Sequence, residues 1–140
     1  MSKILKQTNE IIRMLEKELK GVKTLLYINP CYDPIFYLQS YNYTKFPLVL
    51  VSYRGSLYNI SKLYPGPSEF HIYFVDIKKK ADELLDIMQA IHGLFNTNVV
   101  QTKENDKIVT GQKLLYQDQG FYAENNEHII YVQKYNLLIP

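Results

Sequence analysis

One cysteine and three histidines are the residues of this 140-residue chain best suited to chemistry at neutral pH. Cys31 would act as a nucleophile, with His71, His92 or His128 as the base that takes its proton. A reactive thiol needs a neighbour that lowers its pKa, and the sequence around Cys31 offers neither a motif nor a third group to orient a base. An inert thiol is the plainer reading. The histidines lack the i, i+4 helical spacing of a zinc pair, and a single cysteine excludes both an internal disulfide and a multi-thiolate zinc site. Asp82 and Asp86 stand four apart with Glu83 beside them, as a general acid/base pair would, but on an amphipathic helix that is the water side. None of the six glycines has the spacing of a phosphate loop: Gly66 stands between prolines and Gly55 follows Arg54. No residue is put forward as catalytic, cofactor-binding or metal-ligating, and the chain is expected to be a non-enzyme with no cofactor.

The elements that would position these side chains follow from periodicity. From Ser2 to Lys20, Ile4, Leu5, Ile11, Ile12, Leu15 and Leu19 recur at helical spacing opposite a charged side, and Gly21 supplies a left-handed stop. Thr24–Asn29 reads as a short strand ended by Pro30. Cys31–Phe46 is a tyrosine-rich excursion. Leu48–Tyr53, after Pro47, is a near-continuous apolar run, which means a strand covered on both faces, in the middle of a sheet with helices on it. Leu57–Ile60 is a weaker extended piece between loops at Gly55 and Tyr64–Ser68.

Phe70–Ile77 alternates, with Phe70, Ile72 and Phe74 pointing one way and His71, Tyr73 and Val75 the other. Lys78, Lys79 and Lys80 form the only basic run, a solvated connection from strand to helix. Ala81, Leu84, Leu85, Met88, Ile91 and Phe95 then keep helical spacing, and Asp82 and Glu83 suit the dipole of the first turn. Strand-like alternation resumes at Val99–Lys103, Ile108–Thr110 and Lys113–Tyr122. A polar turn at Glu124–Glu127 leads to a last strand, His128–Leu137, making a long hairpin. The expected fold is α+β: a single mixed or antiparallel sheet with two helices packed on it, in the order α-β-β-(β)-β-α-β-β-β.

Composition sets the outer bounds. A chain of this length fits one domain, residues 1–140, able to bury roughly 68–70% of its unfolded surface without staples. Hydrophobic residues at 46% and charged residues at 21% exclude wholesale disorder. A net charge of +2 gives no electrostatic case for nucleic acid. No run of 18 apolar residues is present and the N-terminus turns polar at once, so a soluble, unexported chain is expected. The lone cysteine agrees with a reducing cytoplasm. There are 13 tyrosines and no tryptophan. Tyrosine suits both half-buried strands and the rims of interfaces.

Three stretches carry a resemblance: ILKQTNEIIRMLEKELKGVKTL in the opening helix, FPLVLVSYRGS at Phe46–Ser56, and EFHIYFVDIKKKADELLDIMQAIHGLF at Glu69–Phe95, with the strands after Val99. In these the chain resembles the small tail-terminator, or tail-completion, proteins of phages and phage-like contractile particles, of the phage Mu type. The resemblance implies a tail-terminator-like subunit of a hexameric ring that caps the tail tube, stops tail polymerisation and meets the head connector or sheath. Its partners would be further copies of itself, the tube protein, and sheath or connector proteins, with no membrane and no sequence-specific nucleic acid. It would assemble in the host cytoplasm and end in the virion or particle tail.

A ring needs a contact that closes on itself, for which exposed sheet edges and the hairpin Lys113–Leu137 are candidates. Tyr41, Tyr43, Tyr58 and Tyr64 are the candidate interface residues, chosen for aromatic character in expected loops. Two other readings stay open. A small cytoplasmic protein-binding adaptor or immunity-type module would share these features, and a hydrolase using Cys31 would require a thiol that alkylates rapidly in the folded protein.

Overall fold

The stripe of Ile11, Leu15 and Leu19 folds the N-terminal segment into a helix, α1 (Lys3–Glu18), and all three side chains are buried. The computed structural model describes residues 3–19, 24–28, 47–53, 68–104 and 107–137. Beyond α1 these form β1 (Thr24–Ile28), β2 (Leu48–Tyr53) and β3 (Ser68–Ile77). A 3₁₀ turn at Lys78–Lys80 leads into α2 (Ala81–Thr97), followed by β4 (Val100–Glu104), β5 (Lys107–Gln112), β6 (Leu114–Glu124) and β7 (His128–Leu137). The extended piece expected at Leu57–Ile60 lies outside the described residues.

Five strands make one mixed sheet in the order β1-β2-β3-β7-β6. β1 runs parallel to β2 and every other neighbour is antiparallel. The expectation of a single sheet is corrected at β4 and β5, which among the described residues pair only with each other, in a separate two-stranded sheet. One residue, Lys113, separates β5 from β6. That is too short for even a two-residue hairpin loop, so β5 cannot fold back onto β6. β2 is likewise not the middle strand: β3 is, because β7 returns to lie along its other side.

The period-two alternation of β2 and β3 gives the sheet two buried faces. On one, Val49, Val51, Phe70, Ile72, Phe74 and Tyr135 meet Ile11 and Leu15 of α1 and Leu84, Met88, Ile91 and Phe95 of α2. On the other, Leu48, Leu50, Tyr73, Val75, Ile130 and Val132 form a second cluster, to which neither described helix contributes. β2 is thus covered on both faces, as its apolar run requires, and Phe70, Ile72 and Phe74 part from Tyr73 and Val75 as expected. The six largest members of the first cluster bury about 2 kcal/mol of transfer free energy each.

The hairpin of β6 and β7 turns on Asn125. Its Oδ1 accepts the backbone N–H of Glu127 at 2.9 Å and of His128 at 2.7 Å, while its own N–H donates to the His128 carbonyl at 3.0 Å. Two register shifts, at Gln117 and Tyr122, bulge β6. Tyr122, one residue after Phe121, points to the far face, where its ring meets Tyr73 edge-on at 5.1 Å.

Candidate functional site

Cys31 and the four candidate interface tyrosines, Tyr41, Tyr43, Tyr58 and Tyr64, lie outside the described residues. The three histidines are placed, and they do not gather. His71 faces Lys134 across β3 and β7, whereas His128 faces Ile77 six positions along the same ladder, about 20 Å away at strand rise. His92 is exposed on α2, its ring 4.6 Å from that of Tyr116.

A polar row crosses the second face. Ser52 of β2 pairs with His71 of β3, His71 with Lys134 of β7, and Lys134 with Asp118 of β6. The neighbouring rows toward the other end, Leu50–Tyr73–Val132 and Leu48–Val75–Ile130, are apolar. His71 is held by its own strand: Nε2 lies 2.7 Å from Glu69 Oε1, and Nδ1 lies 3.4 Å from the Tyr73 hydroxyl. Residues two apart on a strand share a face, so the Glu69–His71–Tyr73 spacing was the signal for this group, and sequence reasoning passed over it.

A carboxylate-held imidazole can take and return a proton. The buried hydroxyl nearest to it in the row, that of Ser52, does not make the nucleophile–base hydrogen bond of acyl-transfer sites. Ser52 is fully buried, and its Oγ has no hydrogen-bond partner among the described residues. Among the described residues the geometry is a histidine–glutamate pair on the same row as a buried hydroxyl.

Asp76 is the other polar group that the sequence reading missed. It continues the parity of Phe70, Ile72 and Phe74, which points it under α2, and it is fully buried. Oδ1 accepts the Ile77 N–H at 2.8 Å and Oδ2 has no partner among the described residues. Burial pushes its carboxyl above the usual aspartate range; the Ile77 N–H and the charges of Lys80 and His128 oppose the shift, and Glu83 adds to it.

The acidic residues of α2 behave as a water-facing side: Asp82, Glu83 and Asp86 are all exposed. Lys78, Lys79 and Lys80 are exposed as well, and Lys78 Nζ lies 3.2 Å from Glu124 Oε2. An open cleft of about 620 Å³ separates α1 from the α2–β4 junction, lined by Arg13, Met14, Lys17, Leu94, Val99 and Gln101 among others.

An open surface lies along β6. Among the described residues this 11-residue strand is paired only with β7, and Tyr116 through Phe121 are all exposed. Phe121 is 57% exposed and stands edge-on to Tyr131 at 6.3 Å; Tyr116 is 40% exposed and stands edge-on to Tyr135 at 6.0 Å. An uncovered strand edge presents unpaired N–H and C=O groups, and exposed aromatics beside it supply apolar area to any strand that joins it. Among the described residues no helix is long and apolar enough to cross a membrane. Compared with protein-family models and with curated proteins, the chain matches none.

Proposed function

We propose that this chain is a tail-terminator subunit of a phage or phage-like contractile tail, forming a hexameric ring that caps the tube, ends its polymerisation and joins it to the head connector or sheath. The observation that carries the reading is the edge of β6 that no other described strand covers, flanked by the exposed Tyr116 and Phe121. A subunit that must close a ring needs a surface that meets a different surface on the next copy, and a strand edge is one. The α+β order of elements and the three sequence stretches resembling tail terminators point the same way.

Light scattering of the purified protein, with electron micrographs of the protein mixed with tail tubes, tests this. A ring mass, or density at tube ends, is expected. A chain that stays monomeric and never decorates tubes overturns the reading. A monomer that binds one unrelated protein tightly would instead support the adaptor or immunity-type reading, which the same open edge would serve.

A further inference from the structure

Among the described residues Asp76 is the only charged side chain that is fully buried. It is the penultimate residue of β3 and shares the parity of Phe70, Ile72 and Phe74, which places it on the α2 side of the strand. Its Oδ1 accepts the Ile77 N–H at 2.8 Å, whereas Oδ2 has no partner among the described residues, and no N–H from the first turn of α2 donates to it. A carboxylate held this way gives up water that nothing replaces. The protonated acid escapes most of that cost.

The chain just beyond Asp76 is where the cost can be relieved. Lys78, Lys79 and Lys80 are exposed, as are Asp82 and Glu83, and Leu84 is the first buried side chain of α2. Lys80, at the N-cap of α2, makes no side-chain cap bond. Few contacts hold the stretch: the Lys78 N–H donates to the Glu127 carbonyl at 2.9 Å, the Ala81 N–H donates to the Lys78 carbonyl, and Lys78 Nζ lies 3.2 Å from Glu124 Oε2. Segments with so little buried contact open at less cost than global unfolding. Lifting residues 78–83 about Leu84 would hydrate Asp76 and leave β3 paired between β2 and β7.

The charged groups that face Asp76 are Lys80 on the 3₁₀ turn, Glu83 on α2 and His128 on β7. Burial is the largest influence and, with Glu83, holds the carboxyl above the usual aspartate range against the opposing Ile77 N–H, Lys80 and His128. Two other carboxylates at this end act with the opposite sign. Ionised Asp82 suits the first turn of α2 and ionised Glu124 holds Lys78, so both tighten the stretch as pH rises.

We infer that Asp76 is a pH-sensitive latch: protonated, it keeps the entry to α2 at residues 78–83 closed, and ionised, it lets that entry open while the sheet stays paired. The closed state is therefore fully favoured below the unfolded aspartate pKa of about 3.9 and is weakened as pH rises through the higher folded value. The latch is independent of the ring reading.

Residue-resolved amide exchange, corrected for intrinsic rates and repeated from about pH 4 to pH 7, tests it. In the wild type the Lys78 and Ala81 amides should lose protection several-fold as pH rises, while the ladder amides of β3 and β7 keep theirs. In Asp76→Asn that loss should vanish. Lys80→Gln and Glu83→Gln alter exposed side chains, and they should move the loss to higher and to lower pH respectively. This opposed pair decides the matter even where Asp76→Asn does not fold. Protection at Lys78 and Ala81 that stays flat or rises with pH, as Asp82 and Glu124 alone would make it, overturns the latch. So does a fall shared equally by the sheet, a fall that persists in Asp76→Asn and so belongs to His128, or a loss that moves the same way in Lys80→Gln and Glu83→Gln.

Discussion

Gln133 Nε2 donates a hydrogen bond to the backbone carbonyl of Met88 at 2.8 Å, tying the interior of β7 to the middle of α2. The same nitrogen donates to Gln119 Oε1 at 3.0 Å, and Gln133 Oε1 accepts the hydroxyl of Tyr135 at 2.9 Å. One fully buried amide therefore joins β6, β7 and the helix above them, and it leaves the buried Tyr135 hydroxyl satisfied. Burial, with a smaller contribution from Tyr116, pushes the Tyr135 phenol above the usual tyrosine range.

Gln133→Leu removes all three hydrogen bonds and strands the Tyr135 hydroxyl without its partner. Unfolding in urea should show a loss of about 3 kcal/mol, the sum of modest net bonds and one buried orphan. Adding Tyr135→Phe removes the orphan and should return about 1 kcal/mol. A double variant less stable than Gln133→Leu alone would contradict this account of the network.

Asp76 makes stability depend on pH with a definite sign. Its carboxyl holds its proton more tightly in the folded than in the unfolded chain, because burial is the largest influence on it. Its contribution is therefore full below the unfolded aspartate pKa and falls as pH rises through the raised folded value. Asp76→Asn keeps an acceptor for the Ile77 N–H and removes the titration. Denaturation midpoints measured from acid to neutral pH should fall less steeply for the variant than for the wild type. Lys80, Glu83 and His128 face the same group, so substitutions there should move the window of this slope without abolishing it.

Asn125→Ala leaves two backbone donors at the β6–β7 turn, those of Glu127 and His128, without their side-chain acceptor. Water can replace it at this exposed turn, so the expected cost is about 1 kcal/mol. The clearer readout is local: both amides should exchange faster, while those of β3 keep their protection.

Ser52→Ala tests the opposite situation. Its hydroxyl is fully buried and has no partner among the described residues, so removing it should leave stability unchanged or raise it by about 1 kcal/mol in a thermal melt. A loss above 2 kcal/mol would show that the hydroxyl is bonded in solution.

Local pattern made α2 and the two faces of β3 legible. Leu84, Met88, Ile91 and Phe95 are buried at the expected spacing, and β3 divides its residues between two clusters by parity. Periodicity reports which way a side chain points and not which strand lies next to it. For that reason the insertion of β7 between β3 and β6, and the separation of β4–β5, were hidden: both are set by pairings between distant residues. The buried polar groups were missed for a related cause. Asp76, Ser52 and Gln133 occupy inward positions that the pattern assigns to apolar side chains, and only the assembled sheet shows what surrounds them. Of the candidate site, the β6–β7 hairpin was legible from its alternation and polar turn, whereas the contact of His92 with Tyr116 needs α2 laid against β6.

The polar row Ser52–His71–Lys134–Asp118 gives the sheet a gradient along its strands, polar at one end and apolar at the other. Alternation alone forbids a slip of one residue, because that would turn every side chain to the wrong face. It does not forbid a slip of two. With the gradient, shifting β7 by two positions would set Lys134 opposite Tyr73, among leucine and valine, and the ladder is thereby keyed like a vernier to a single alignment.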